Sequence, residues 1–270
     1  MVETEKYYNI LDFFAKTHTG YLHAKGKTST LQLLRRMHLQ NGMHVLEIGC
    51  GTGATLALIA SGNKKVKYFG VDHSETMINA AKKRIRFSGL NNIILLQKTS
   101  GTLLPFDDNS IDIIYAESVL GIQEDENLRD VVIEMYRVLK PGGMILLNET
   151  IWMDTTSTQE IITINKFCIQ AFGIIQANEK YCYSADWKKL LEVNKFEHVE
   201  ISTLNESGDN SPPLKLKVPL FLSNMFSVIG KVKKILQFKS RLKYNRSLKE
   251  FDKLFGDKKY MEGFIIVARK

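Results

Sequence analysis

Three alternate glycines, Gly49, Gly51 and Gly53, follow the apolar run Val45-Leu46-Glu47-Ile48 and precede a segment of helical character, with Cys50 inside the turn. A glycine has no Cβ, so such a turn lets backbone amides approach a ligand closely at the positive end of the helix it opens. Asp72 lies nineteen residues beyond Gly53, at the end of a second apolar run. A carboxylate there can accept both hydroxyls of a ribose. Loop and acid together describe a site for an adenosine-containing ligand. The loop alone does not choose that ligand, because Gly49-x-Gly51-x-x-Ala54 also satisfies the dinucleotide fingerprint. Glu47 shifts the balance: an acid near the end of the first strand would crowd a pyrophosphate, whereas it can orient the ammonium group of an amino-acid ligand.

These residues meet only if their strands lie side by side. Apolar runs at Met43–Ile48, Val66–Val71, Ile93–Leu96 and Ile111–Ala116 alternate with helical segments, which predicts a parallel sheet. Ser74 is a good N-cap for a helix ending near Gly89. A further helix from about Asn127 to Leu139 is stopped by Pro141-Gly142-Gly143, and Met144–Leu147 reads as a fifth strand. Helices are expected at Thr155–Ala177 and Asp186–Val193, a sixth strand at His198–Ser202, and a returning strand at Phe264–Val267. The fold class predicted is α/β, a Rossmann-like seven-stranded, mostly parallel sheet with helices on both faces.

With 270 residues, 44% hydrophobic and 24% charged, the chain suits one large domain with an insertion. Its net charge of +8 is local: residues 213–259 hold 13 Lys and Arg against three acids, so the remainder is slightly acidic. Within that region Leu220–Phe238 sets Phe221, Met225 and Val228 on one wide apolar helical face. Cys50, Cys168 and Cys182 sit at no metal-ligand spacing and cannot all pair, so no metal site is expected and a reducing, cytoplasmic setting is. No uncharged run is long enough to span a bilayer.

Two further stretches, Leu104-Pro105-Phe106-Asp107-Asp108-Asn109-Ser110-Ile111-Asp112 and Glu134-Met135-Tyr136-Arg137-Val138-Leu139-Lys140-Pro141-Gly142-Gly143, complete a set of four ordered motifs. Over residues 43 to 150 the chain thereby resembles the class I S-adenosylmethionine-dependent methyltransferases, most closely the ubiquinone and menaquinone biosynthesis branch. The resemblance implies S-adenosyl-L-methionine as cofactor, its methionine part held around Gly49 and Gly51, its ribose by Asp72, and its adenine near His73 and Met77. Where the family often has an acid before the Leu-Pro-Phe element, this chain has Ser100, Gly101 and Thr102, which leaves a neutral hydroxyl for the adenine amino group. Similar proteins fold an N-terminal segment over the cofactor, here the part carrying Tyr7, Tyr8, His18, Tyr21 and His23. The expected division is an N-terminal helical lid at 1–40, a core at 41–204 with a helical cap insertion at 151–185, a basic helical insertion at 205–260, and the last strand at 261–270.

Methyl transfer from a sulfonium is an in-line displacement that positioning and desolvation can drive, with a base needed only if the acceptor must lose a proton. Ligands gather at the carboxyl ends of strands in such sheets, where Glu117 and Ser118 end the fourth strand and Glu149 follows the fifth. Glu117 is the foremost candidate for a base facing the acceptor, with contact to the cofactor as its alternative role; His23 is the second candidate, and Glu149 is read as structural or solvated. The expected partner is a small-molecule acceptor, apolar or anionic, under a lid that includes Phe221, Met225 and Phe226; the basic insertion leaves a homodimer open. Nucleic acid is not expected, because no Asn-Pro-Pro-aromatic motif is present. An RNA methyltransferase, a nicotinamide-dependent oxidoreductase and a non-catalytic cofactor-binding relative stand as alternatives.

Overall fold

A computed structural model describes residues 10–17, 19–21, 26–99, 102–204, 238–256 and 258–270. In chain order its elements are α1 (Ile10–Lys16), α2 (Lys27–Arg36), β1 (His44–Ile48), α3 (Ala54–Gly62), β2 (Lys67–Asp72), α4 (Glu75–Phe87), β3 (Ile94–Lys98) and β4 (Ile111–Glu117). There follow α5 (Asp125–Val138), β5 (Leu139–Trp152), α6 (Thr158–Phe172), α7 (Ser184–Val193), β6 (Glu197–Thr203), α8 (Phe238–Phe255) and β7 (Met261–Arg269). The seven strands form one sheet in the order β3-β2-β1-β4-β5-β7-β6. Strands β1 to β5 pair in parallel, while β7 runs antiparallel to both β5 and β6, as the mostly parallel expectation required.

Alternation along the strands divides the core into two layers. Leu46 and Ile48, Ile114 and Ala116, and Ile145 and Leu147 face a cluster with Leu128, Val131 and Met135 of α5 and Trp187 and Leu190 of α7. Val45, Ile113, Tyr115, Met144 and Leu146 face the opposite cluster, with Leu33 of α2, Leu56 and Ile59 of α3, and Ile78 and Ile85 of α4. Both faces of the central strands are therefore buried, which is why their sequences read as continuous apolar runs. A third cluster joins Phe13, Trp152, Ile164, Cys168, Phe172 and Tyr244, tying α1, α6 and α8 together beside the sheet.

Two of the sequence motifs prove to be halves of one clamp. Glu134 Oε2 accepts the amide of Leu104 at 2.8 Å, and Arg137 donates to the carbonyls of Leu104 and Phe106 and to Asp108 Oδ1. Arg137 also pairs with Glu134 at 2.7 Å, and that contact holds the Glu134 carboxyl below its usual range. This fastens the loop before β4 to α5, so the motif acts here on packing rather than on a ligand.

Element ends differ from expectation where local capping overrides composition. Strand β5 starts at Leu139 and continues to Trp152, because β7 pairs with it from Met144 to Trp152. Helix α6 is shorter than Thr155–Ala177: a capping box between Ser157 and Glu160 starts it and Gly173, at φ 75°, ends it. The face expected at Leu220–Phe238, with Phe221, Met225, Phe226 and Val228, lies outside the residues whose side chains are described, as do Tyr7, Tyr8, His18 and His23.

Gly70, in the middle of β2, tests the layer packing. A Cβ there would stand 2.5 Å from Leu56 Cδ1, 2.8 Å from Leu96 Cδ2 and 3.0 Å from Cys50 Cβ. Gly70→Ala should lower unfolding free energy by about 1–3 kcal/mol in urea titration; an unchanged midpoint would mean that the two leucines move aside without cost.

Candidate functional site

The strand order reverses between β1 and β4, and the carboxyl ends beside that point gather the chemistry. Reading across β2, β1, β4 and β5, these ends carry Asp72, Glu47, Glu117 and Glu149, which are 7%, 4%, 9% and 1% exposed. Four carboxylates removed from water need donors or a cation, since an unpaired buried charge costs several kcal/mol.

Three of them find donors within the chain. Asp72 accepts the amide of Gly51 at 2.8 Å and that of Ser74 at 2.9 Å, with His73 Nδ1 3.6 Å away. Desolvation still raises its pKa against those bonds. Glu117 accepts Thr55 Oγ1 at 2.8 Å on one oxygen, and Thr30 Oγ1 at 2.9 Å and Asn148 Nδ2 at 3.1 Å on the other. Glu149 accepts the amides of Val119, Leu120 and Gly121, each at 3.1 Å, and so shapes the turn after β4. Glu47 differs, because its buried Oε2 has no hydrogen-bond partner among the described residues. Burial, and next the neighbouring Glu117, push its pKa well up, and the same causes of burial and nearby Glu47 raise the Cys50 thiol.

The glycine loop is held from both sides. Gly49, Gly51 and Gly53 have φ of 67°, 50° and 71°, a region in which side chains are strained. At Gly49 a Cβ would also run into the side chain of Val119, so loop and post-β4 turn touch. Arg84 of α4, fully buried, donates to the Thr52 carbonyl at 2.9 Å, while Thr52 Oγ1 donates to the Thr19 carbonyl at 2.9 Å. The N-terminal segment is thus tied down onto the loop.

Two adjoining cavities share Gly49, Gly51 and Glu117. The smaller, about 60 Å³, is walled by Tyr21, Glu47, Cys50, Thr52 and Thr55, and has room for a few atoms only. The larger, about 220 Å³, has a polar side of Asp72, His73 and Ser74 and an apolar side of Leu11, Met77, Val119 and Ile122. Ser118 lines it at φ 53°, its buried hydroxyl lacking a partner among the described residues. A strained non-glycine residue at a cavity wall is a common mark of function.

Of the residues expected from sequence, the structure brings together Glu47, Gly49, Cys50, Gly51, Asp72, His73, Met77, Glu117 and Ser118. Gly53 caps α3 behind the cavities, Thr102 borders neither, and His23, Ser100 and Gly101 lie outside the described residues. Glu117 lines both cavities, as expected of an acid facing the site, and both its oxygens accept side-chain donors. Glu149 is fully structural, not solvated. Thr30, Thr55, Asn148 and Arg84 went unread; each is a common residue in an ordinary helix or strand, and only the fold converts it into a partner.

A family model described as a methyltransferase domain matches residues 45–143. The demethylmenaquinone methyltransferase of Staphylococcus epidermidis is 32% identical over 184 residues, which cover 66% of this chain and 72% of that protein. The enzyme of the same name from Geobacillus stearothermophilus is 35% identical over 119 residues, 44% of this chain, and there the match spans only half of the relative's length. Among solved structures, Haemonchus contortus phosphoethanolamine N-methyltransferase 2 in complex with S-adenosyl-L-methionine superposes with a TM-score of 0.67 at 18% identity, covering 97% of this chain and 56% of that one. The [4+2]-cyclase SpnF superposes at 0.64 and 19% identity, covering 90% and 81%. At these identities the two structures establish the fold.

Glu149 provides a pH test of the site. Desolvation raises its pKa from 4.5 to about 7, against the three amides that lower it. The folded chain then keeps a proton that the unfolded chain has released, so the associated stability is full below about pH 4.5 and lost as pH rises through about 7. Glu149→Gln should remove that component: between these limits its stability should fall less than that of the wild type, by on the order of 3 kcal/mol, in urea titrations across pH. Parallel curves for the two proteins would show that Glu149 titrates normally.

Proposed function

The chain belongs to the class I S-adenosylmethionine-dependent methyltransferases, in the quinone-biosynthesis branch, and from that premise we propose that it methylates an apolar small-molecule acceptor of the demethylmenaquinone type. The observation that carries the cofactor side is Glu47 Oε2, buried without a hydrogen-bond partner among the described residues at the wall of the small cavity, next to a glycine loop and an acid at the end of β2. A chemistry with an ammonium group and a ribose, both able to donate, fits those carboxylate acceptors, whereas a pyrophosphate would face Glu47 and Glu117. When bound, the cofactor supplies an electrophilic methyl group and a positive sulfonium.

The chain's own residues then have distinct tasks. Asp72, its two inner positions fixed by Gly51 and Ser74, keeps lone pairs for the ribose hydroxyls. Glu47 Oε2 faces the ammonium group, whose positive charge favours the ionised carboxylate against the burial that raises its pKa. Glu117 belongs on the cofactor side, as a fixed negative charge that Thr30, Thr55 and Asn148 hold in place. Leu11, Val119 and Ile122 exclude water from the larger cavity and offer an apolar wall to the acceptor. Neutralising a cationic donor needs little electrostatic help inside a dry cavity, so alignment against that wall supplies the rate.

The test is transfer of label from the cofactor with a soluble demethylmenaquinol analogue set against small amines such as phosphoethanolamine. Label is expected on the quinol ring; label on the amine alone, or on neither, overturns the acceptor reading. Asp72→Ala should weaken S-adenosylhomocysteine binding about ten- to hundredfold in calorimetry, and Glu117→Gln by roughly tenfold. Unchanged affinity in both variants would refute the cofactor site itself.

A further inference from the structure

Helix α8 turns one side inward and leaves the other uncovered among the described residues. Tyr244, Phe251 and Phe255 pack on the third cluster, where the rings of Phe251 and Phe255 each lie 5.8 Å from that of Phe167 in α6. At about 100° per residue the stripe opposite them is Leu242, Arg246, Lys249 and Lys253, all exposed. None of these three cations takes part in an ion pair among the described residues, in contrast to Lys258 and Lys259 just beyond the helix, which bind Glu160 and Glu262. Leu242 is 51% exposed, and Leu254 on one flank is 60% exposed.

We propose that this face of α8 docks on a bilayer surface containing anionic phospholipid. The helix carries six Lys and Arg against two acids, and the stretch around it, residues 213–259, carries 13 against three, so its charge complements an anionic surface. Aliphatic side chains set between the cations gain nothing from anions in water. They gain from an apolar phase directly beneath an anionic layer, an arrangement that a phospholipid interface provides and a nucleic acid backbone does not. The acidic cavity at the carboxyl ends of the strands is not part of this face, so the proposal does not depend on which acceptor is methylated.

Cosedimentation of the full chain with vesicles of phosphatidylcholine alone, or of phosphatidylcholine with an equal part of phosphatidylglycerol, tests it. Binding is expected only to the anionic vesicles and should weaken at high salt. The triple variant R246E/K249E/K253E should partition about ten- to hundredfold less well, with unchanged melting and unchanged S-adenosylhomocysteine affinity. If it does not fold, R246Q/K249Q/K253Q takes its place with the same expectation at a smaller amplitude. Leu242→Ser should also weaken binding, which a purely ionic contact would not show. Equal binding to neutral vesicles, undiminished binding of the charge variants, or an α8-dependent preference for a DNA duplex or for a second copy of the chain would each overturn the proposal.

Discussion

The constraint on which this molecule depends is the burial of four carboxylates along adjacent strand ends. Glu47, Asp72, Glu117 and Glu149 lie in a row with almost no exposure, and several of them raise one another's pKa as well as losing solvation. Each has to be answered by donors that come from elsewhere in the chain. The amides of Gly51 and Ser74 answer Asp72, and those of the post-β4 turn answer Glu149. Glu117 draws Thr30 from α2, Thr55 from α3 and Asn148 from β5, which fixes three separate elements around one side chain. The glycine loop, the turn after β4 and the N-terminal helices thus owe their relative positions to the same electrostatic requirement.

Glu47 is where that requirement stays unmet by the protein. Its Oε2 has no hydrogen-bond partner among the described residues, and on the proposed reading the ammonium group of the cofactor supplies one. The same fold serves a methyltransferase and a cyclase among the structural neighbours, so the fold does not carry this information. It resides in which polar atoms are left without partners.

The charge of the chain is segregated as well. Acids are concentrated and buried at the strand ends, while the excess of Lys and Arg sits on α8 and the stretch before it. Buried charges act at short range in a poor dielectric, whereas exposed ones act on surfaces and are screened by salt. One chain can in this way hold a cationic small molecule inside and face an anionic surface outside.

Much of this was written in the sequence. Apolar runs closed by glycines, the acid after the second strand and the caps at Ser74 and Gly89 are local signals, and local chemistry decides strand, turn and helix start. They placed the sheet, the loop, and Glu47, Asp72, His73 and Met77 around the cavities. What only the tertiary structure decided is which side chains answer which. Thr30 and Glu117 are 87 residues apart, Thr52 and Arg84 are 32, and Glu149 and Gly121 are 28. No periodicity or spacing encodes such pairs, because they follow from desolvation after the layers have closed. That is why Glu117 reads in the sequence only as an acid facing the site, while its three side-chain donors appear only in the fold.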